Sequence, residues 1–148
     1  IMATTTLTLG ITSDISSNAI DISTNFNVTT DGSTGVTEST GVSRIKVGTS
    51  DRLILDISGA PVTLIDKKAV AYFKNMDATF GNYIDIKIGN ASTADQHAEV
   101  LRIYGGQFAV LPLRNSTDID ADGGIDADIH AIAANASSLL EFAVFYES

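Results

Sequence analysis

The chain contains no cysteine, no tryptophan, two prolines and two histidines, and it carries 9 basic against 18 acidic residues. The missing cysteine removes disulfides, thiolate nucleophiles and thiolate metal ligands together, so the fold has to rest on packing and backbone pairing. No run of about 18 apolar residues occurs, and no basic segment leads into an apolar one near the N-terminus. Neither a membrane span nor a secretory signal is expected, and the chain reads as soluble and intracellular when made, with Met2 as its natural start. The formal net charge of −9 repels phosphate backbones and anionic lipid, which argues against nucleic acid and membrane as partners. No Gly-x-x-x-x-Gly-Lys phosphate loop and no glycine-flanked serine elbow is present. His97 and His130 stand in unrelated segments without metal-ligand spacing, so they read as surface or packing residues. With no visible nucleophile, the chain reads as a non-enzyme; paired carboxylates of the glycosidase kind would depend on convergence in space.

What the sequence does have is strand periodicity. A chain of 148 residues is enough for one domain that removes roughly 70% of its unfolded surface from water. From Ala3 to Thr12 threonines alternate with Leu7, Leu9 and Ile11, and after a turn at Ser13 to Asn18 apolar residues recur at Ile20, Ile22, Phe26 and Val28. Thr29 to Val42, poor in apolar residues and containing Asp31-Gly32, reads as a loop or surface-laid connection. The division expected is therefore an extended arm or first strands over 1–40 and a β-sandwich body over 41–148, within a single domain. In the body, Ile45 and Val47 with Leu53, Leu55 and Ile57 read as a hairpin about Gly48 to Arg52. Val70–Asn75 reads as paired with Tyr83–Ile88, and Ile125–Ala133 with Leu139–Glu147. Val100 to Leu113 reads as two antiparallel arms joined by Gly105-Gly106, glycines suiting the positive φ of a tight turn. A competing reading makes Ala94 to Tyr104 a short helix behind the capping box Thr93-Ala-Asp-Gln96. Short strands at regular spacing give the expected class, an all-β antiparallel sandwich or jelly roll.

Acidity gathers late. From Arg114 to Ser148 the chain carries Asp118, Asp120, Asp122, Asp126, Asp128, Glu141 and Glu147 against Arg114 alone. Asp118-Ile-Asp-Ala-Asp-Gly123 has the form of the first half of an EF-hand loop, in which alternate carboxylates supply hard oxygen ligands and glycine allows the bend. Position twelve is Ile129 where a bidentate Glu is required, and no flanking helices are evident. Two readings stand: a Ca²⁺ site built on Asp118, Asp120 and Asp122, with Asp126 or Asp128 in support, or an acidic loop that simply faces water. Most aromatics fall on strand positions; Phe80, between Thr79 and Gly81, falls in a turn, where it could anchor a neighbouring protein.

The order of these features resembles a family. Ala3-Thr-Thr-Thr-Leu-Thr-Leu with Ile20 to Val28, Ala71-Tyr-Phe-Lys-Asn75 ahead of Asp85-Ile-Lys-Ile88, Leu101 to Leu113, and the closing Leu140-Glu-Phe are similar to small structural proteins of tailed bacteriophages, cyanophages especially, that decorate or cement the head or sit on the tail. Gly105-Gly106-Gln107 departs from the family's turn, which pairs a glycine with an acidic neighbour. The resemblance implies a β-sandwich, commonly trimeric and without catalysis. It also implies a place on the virion after synthesis in the host cytoplasm, with the major capsid protein and neighbouring copies as partners. In such a protein the threonine-rich segment from Ala3 to about Thr40 would reach across a neighbouring subunit and add a strand to its sheet edge, or would simply form the first two strands of its own sandwich. The alternative is a module of the tail or receptor apparatus that binds carbohydrate through exposed aromatics.

Overall fold

The computed structural model describes residues 6–13, 20–27, 29–30, 34–55, 69–88, 98–113 and 128–147. Among them every regular element is a strand: β1 (Thr6–Ser13), β2 (Ile20–Asn27), β3 (Thr29–Thr30), β4 (Thr34–Ser39), β5 (Ser43–Val47), β6 (Arg52–Leu55), β7 (Ala69–Asn75), β8 (Tyr83–Ile88), β9 (Ala98–Tyr104), β10 (Phe108–Leu113), β11 (Ile129–Ala133) and β12 (Ser138–Glu147). All of the pairings are antiparallel. The fold is all-β, as the alternation of apolar residues requires.

Two sheets form the body. The first runs β10-β7-β12, after which β5 lies beside Ser138–Phe142 and β4 beside Phe145–Glu147, with β3 next to β4. The second runs β9-β8-β11-β6. Both sheets rank their strands in the same way, so that strands consecutive in sequence (β5 and β6, β7 and β8, β9 and β10, β11 and β12) hold matching positions in opposite sheets. This is the jelly-roll arrangement of a sandwich.

That arrangement corrects the pairings expected from sequence. None of the four body hairpins is a hairpin: β5 pairs with β12 and β6 with β11, β7 pairs with β10 and β12, β8 with β9 and β11. A turn does stand between the members of each expected pair, but the chain uses it to cross the ~10 Å between sheets rather than to fold back within one. Gly105-Gly106 shows why a short link suffices. Gly106 has φ +79, its N–H donates to the Asn75 carbonyl at 3.0 Å, and Asn75 N–H donates to the Gln107 carbonyl at 3.0 Å. A Cβ on Gly105 would lie 2.2 Å from the Thr79 carbonyl oxygen, so the link passes too close to the β7–β8 connection for any side chain. Two other expectations are also revised. Thr34–Ser39 is a strand, because its pairing with β12 is made by backbone and needs no apolar pattern. Ala98–Tyr104 is strand β9 and not a helix; residues 94–97 lie outside the described residues.

The core sits between the sheets. Along β7, Ala69, Ala71 and Phe73 are buried at every second position, as the pleat dictates. They meet Leu140, Phe142 and Val144 of β12, while Ile84 and Ile86 of β8, Ile103 of β9 and Ile129, Ala131 and Ala133 of β11 close the other side. Several cross-strand neighbours pair small with large, Ala131 with Ile86, Ala133 with Ile84 and Ala71 with Val144, the alternation that close packing of a layer calls for. Each fully buried Phe or Ile contributes about 1.5–3 kcal/mol.

The N-terminal strands behave otherwise. β1 and β2 pair with each other over their whole length and form a two-stranded sheet of their own.

Candidate functional site

In the β1–β2 hairpin, residues in register share a face, so Leu9 stands with Thr24 and Ile11 with Ile22, and the same row takes in the Leu7–Phe26 and Ser13–Ile20 positions. The opposite row is Thr8–Asn25, Gly10–Ser23 and Thr12–Asp21. Leu9, Ile11 and Ile22 thus stand on one side of the ribbon, and Thr8, Gly10, Thr12 and Ser23 on the other. Leu9, Ile11 and Ile22 are nonetheless 40%, 44% and 49% exposed. A strand pattern that places branched aliphatics on one face, then leaves that face in water, marks a surface made for contact.

A second surface lies at the end of the sandwich where the β7–β8, β9–β10 and β11–β12 connections gather. Asn75 is its centre and is fully buried. Its Nδ2 donates to the carbonyls of Asn82 and Ile103 at 2.9 and 3.1 Å, and its Oδ1 accepts from Asp77 N–H at 3.0 Å. Asp77 extends the network, accepting from Thr79 N–H, Asn82 Nδ2 and Ser138 Oγ. The Thr79 N–H, ahead of the Asn82 amide, holds the Asp77 carboxyl below its ordinary pKa. This network fixes the loop that carries Phe80, whose ring stacks on Tyr104 with centroids 4.9 Å apart and planes within 9°, yet remains 63% exposed. Tyr83 meets Tyr104 edge-on at 5.8 Å, and the Arg102 guanidinium lies 3.8 Å over the Tyr83 ring. Arg102 then clamps Asp85 with two bonds of 2.7 and 2.9 Å, which raises the guanidinium's pKa. Together they make a ladder of flat groups across the outer face of the second sheet.

On the same face His130 is buried, its Nδ1 donating to Asp51 at 2.6 Å, with Lys87 Nζ 3.9 Å from the other carboxylate oxygen. On the outer face of the first sheet Glu141 accepts from Arg44 Nε at 2.7 Å and from Tyr72 OH at 3.2 Å. The Arg44 bond, chiefly, lowers the Glu141 pKa; burial, then the Glu141 hydrogen bond, raises that of Tyr72.

Of the residues expected to hold Ca²⁺, Asp118, Asp120, Asp122 and Asp126 lie outside the described residues, as does His97. Asp128 is described and is buried just ahead of β11. Among the described residues no group of three or more His, Cys, Asp or Glu side chains gathers in the way a metal needs. Phe80 stands where the turn reading placed it. The Asn75–Asp77 network was missed, although Asn and Asp two apart ahead of Gly81 are the residues that hydrogen-bond turn backbone.

No protein-family model and no curated protein matches the chain. Among solved structures it is similar to a chain of the Bacillus endospore appendages, described as a family of disulfide-linked pili. The TM-score is 0.53 with 16% identity, covering 84% of this chain and 96% of that one. At that identity the likeness speaks for the shared β-rich fold.

Proposed function

We propose that this chain is a non-enzymatic virion structural protein, a decoration or cement protein that binds the head of a tailed phage through the major capsid protein and through neighbouring copies of itself, as a trimer. The observation that supports this reading best is the β1–β2 ribbon, with its aliphatic row left in water beside a body that has its own complete core. Bridging subunits at a capsid junction adds buried area there, and a symmetric oligomer multiplies modest contacts by avidity. With no cysteine in the chain, such contacts do not use disulfides. The test uses the full chain carrying Leu9→Ser, Ile11→Ser and Ile22→Ser together, sedimented with undecorated phage heads. Wild type should saturate the heads while the variant, equally folded by circular dichroism, stays in the supernatant. Equal binding by both would remove the ribbon from the account, and no binding by wild type would sink the cement role.

A second reading, a carbohydrate-binding module of a tail, draws on the exposed Phe80 face backed by Tyr104. Binding on a glycan array that disappears with Phe80→Ala would favour it.

A further inference from the structure

β9 and β10 are the terminal strands of their respective sheets, and among the described residues each is paired on one side only, β9 with β8 and β10 with β7. Because they follow one another through Gly105-Gly106, both unpaired edges lie on the same side of the sandwich. Between them is a cleft of about 430 Å³ with Leu101, Ile103, Phe108 and Ala109 in its lining. Phe108 is 60% exposed. A cavity of ~150 Å³ takes a benzene-sized group, so this one has room for two or three branched aliphatic side chains.

We propose that this cleft receives the β1–β2 hairpin of a second copy of the chain, which lays its Leu9, Ile11 and Ile22 row over the β9–β10 opening. The inference rests on the reading of the hairpin as a docking element and adds where it docks. Three observations select a second copy. The hairpin's aliphatic row and Phe108 are exposed together in the same structure, so a copy does not fill its own cleft. A chain of net charge −9 resists self-association except through its least acidic parts. β1 carries no charged residue and β2 only Asp21, while the one charged residue lining the cleft is Arg102. The edges match as well: an added strand takes main-chain hydrogen bonds from an open edge, with alternate side chains entering the pocket. Pro112 has no N–H to offer, so the pairing would run along the Phe108 end of β10 and stop short of Pro112. Donor and acceptor surfaces differ, so each copy gives one hairpin and takes one, a head-to-tail contact that closes into a ring when the rotation permits.

Because the chain has no cysteine, crosslinking has no background. Two full-length variants, Ile11→Cys and Phe108→Cys, carrying different tags, are mixed and oxidised, with Ser50→Cys, an exposed site away from the cleft, as the control partner for Ile11→Cys. The mixed Ile11→Cys/Phe108→Cys disulfide should form at least tenfold faster than the control pair. An equal rate, or a chain carrying both Ile11→Cys and Phe108→Cys that crosslinks only within itself, overturns the proposal. Phe108→Lys should shift the wild-type oligomer to monomer in analytical ultracentrifugation with an unchanged circular dichroism spectrum; an unchanged oligomer would count against it. Absence of the mixed disulfide, with heads still bound through the hairpin, defeats this inference and leaves the decoration role standing.

Discussion

The hairpin and the sandwich are made of the same material, β-branched and aliphatic residues at every second position, and they use it in opposite ways. In β7 the alternate residues reach complete burial, with Ala71 and Phe73 at 0% exposure. In β1 and β2 the equivalent row keeps more than a third of its surface in water at Leu9, Ile11 and Ile22. A two-stranded ribbon has nothing on which to lay its apolar face and is marginal by itself. Period-two patterning therefore states that a face will be covered without stating by which molecule.

The sharpest way to break this comparison is at the sandwich end. Phe73→Ala should cost about 3–5 kcal/mol, seen as a large fall in the thermal midpoint, because its surroundings are close-packed on both sides. Asn75→Ala follows, at about 1–3 kcal/mol for each buried carbonyl left without its donor, measured as a lowered urea midpoint with unchanged m. Gly105→Ala should cost about 1–3 kcal/mol, since a Cβ there collides with backbone, and near-ultraviolet dichroism of the Phe80–Tyr104 pair should report the shift. A smaller effect is expected in acid. Asp77 and Glu141 have folded pKa values below their ordinary ones, so their stabilisation is complete above the ordinary carboxylate pKa and is lost as pH falls from there through the folded values. Asp77→Asn should flatten that acid limb in a series of melts, and an unchanged limb would show that the loop network contributes nothing to it. Smallest of all, Ile22→Ala should alter unfolding by no more than about 0.5 kcal/mol at a dilution where the chain is monomeric. A cost near that of Phe73→Ala would mean that the ribbon is packed like the body, and the contrast would collapse.

Sequence carried much of this fold and stopped at a definable point. Strand positions and the class of fold follow from local alternation, as at Tyr83–Ile88, where Ile84 and Ile86 face inward and Asp85 and Lys87 outward. Which strands pair does not follow, because a turn such as Gly105-Gly106 or residues 48–51 looks alike whether it closes a hairpin or crosses between sheets. The difference is made by distant partners: Arg44 of β5 finds Glu141 of β12, and nothing near either residue announces the other. β4 was missed for a related reason, since its pairing with β12 and β3 is made by backbone and leaves no apolar pattern to read. At the candidate surfaces, Phe80 was legible as an aromatic in a turn, whereas its stack with Tyr104 and the Arg102–Asp85 clamp exist only once two strands lie side by side.

One consequence of the strand order concerns synthesis. β12 occupies the interior of its sheet, with β7 on one flank and β5 and β4 on the other, yet it is translated after all three. Until it emerges from the ribosome, β7 and β5 have no common neighbour and the core lacks Leu140, Phe142 and Val144. The body thus closes in one late step over long loops, which is the slow route for a β protein and the one that most exposes unpaired edges to other chains. The interval before β12 joins its neighbours therefore sets how long the edges of β7 and β5 stay open.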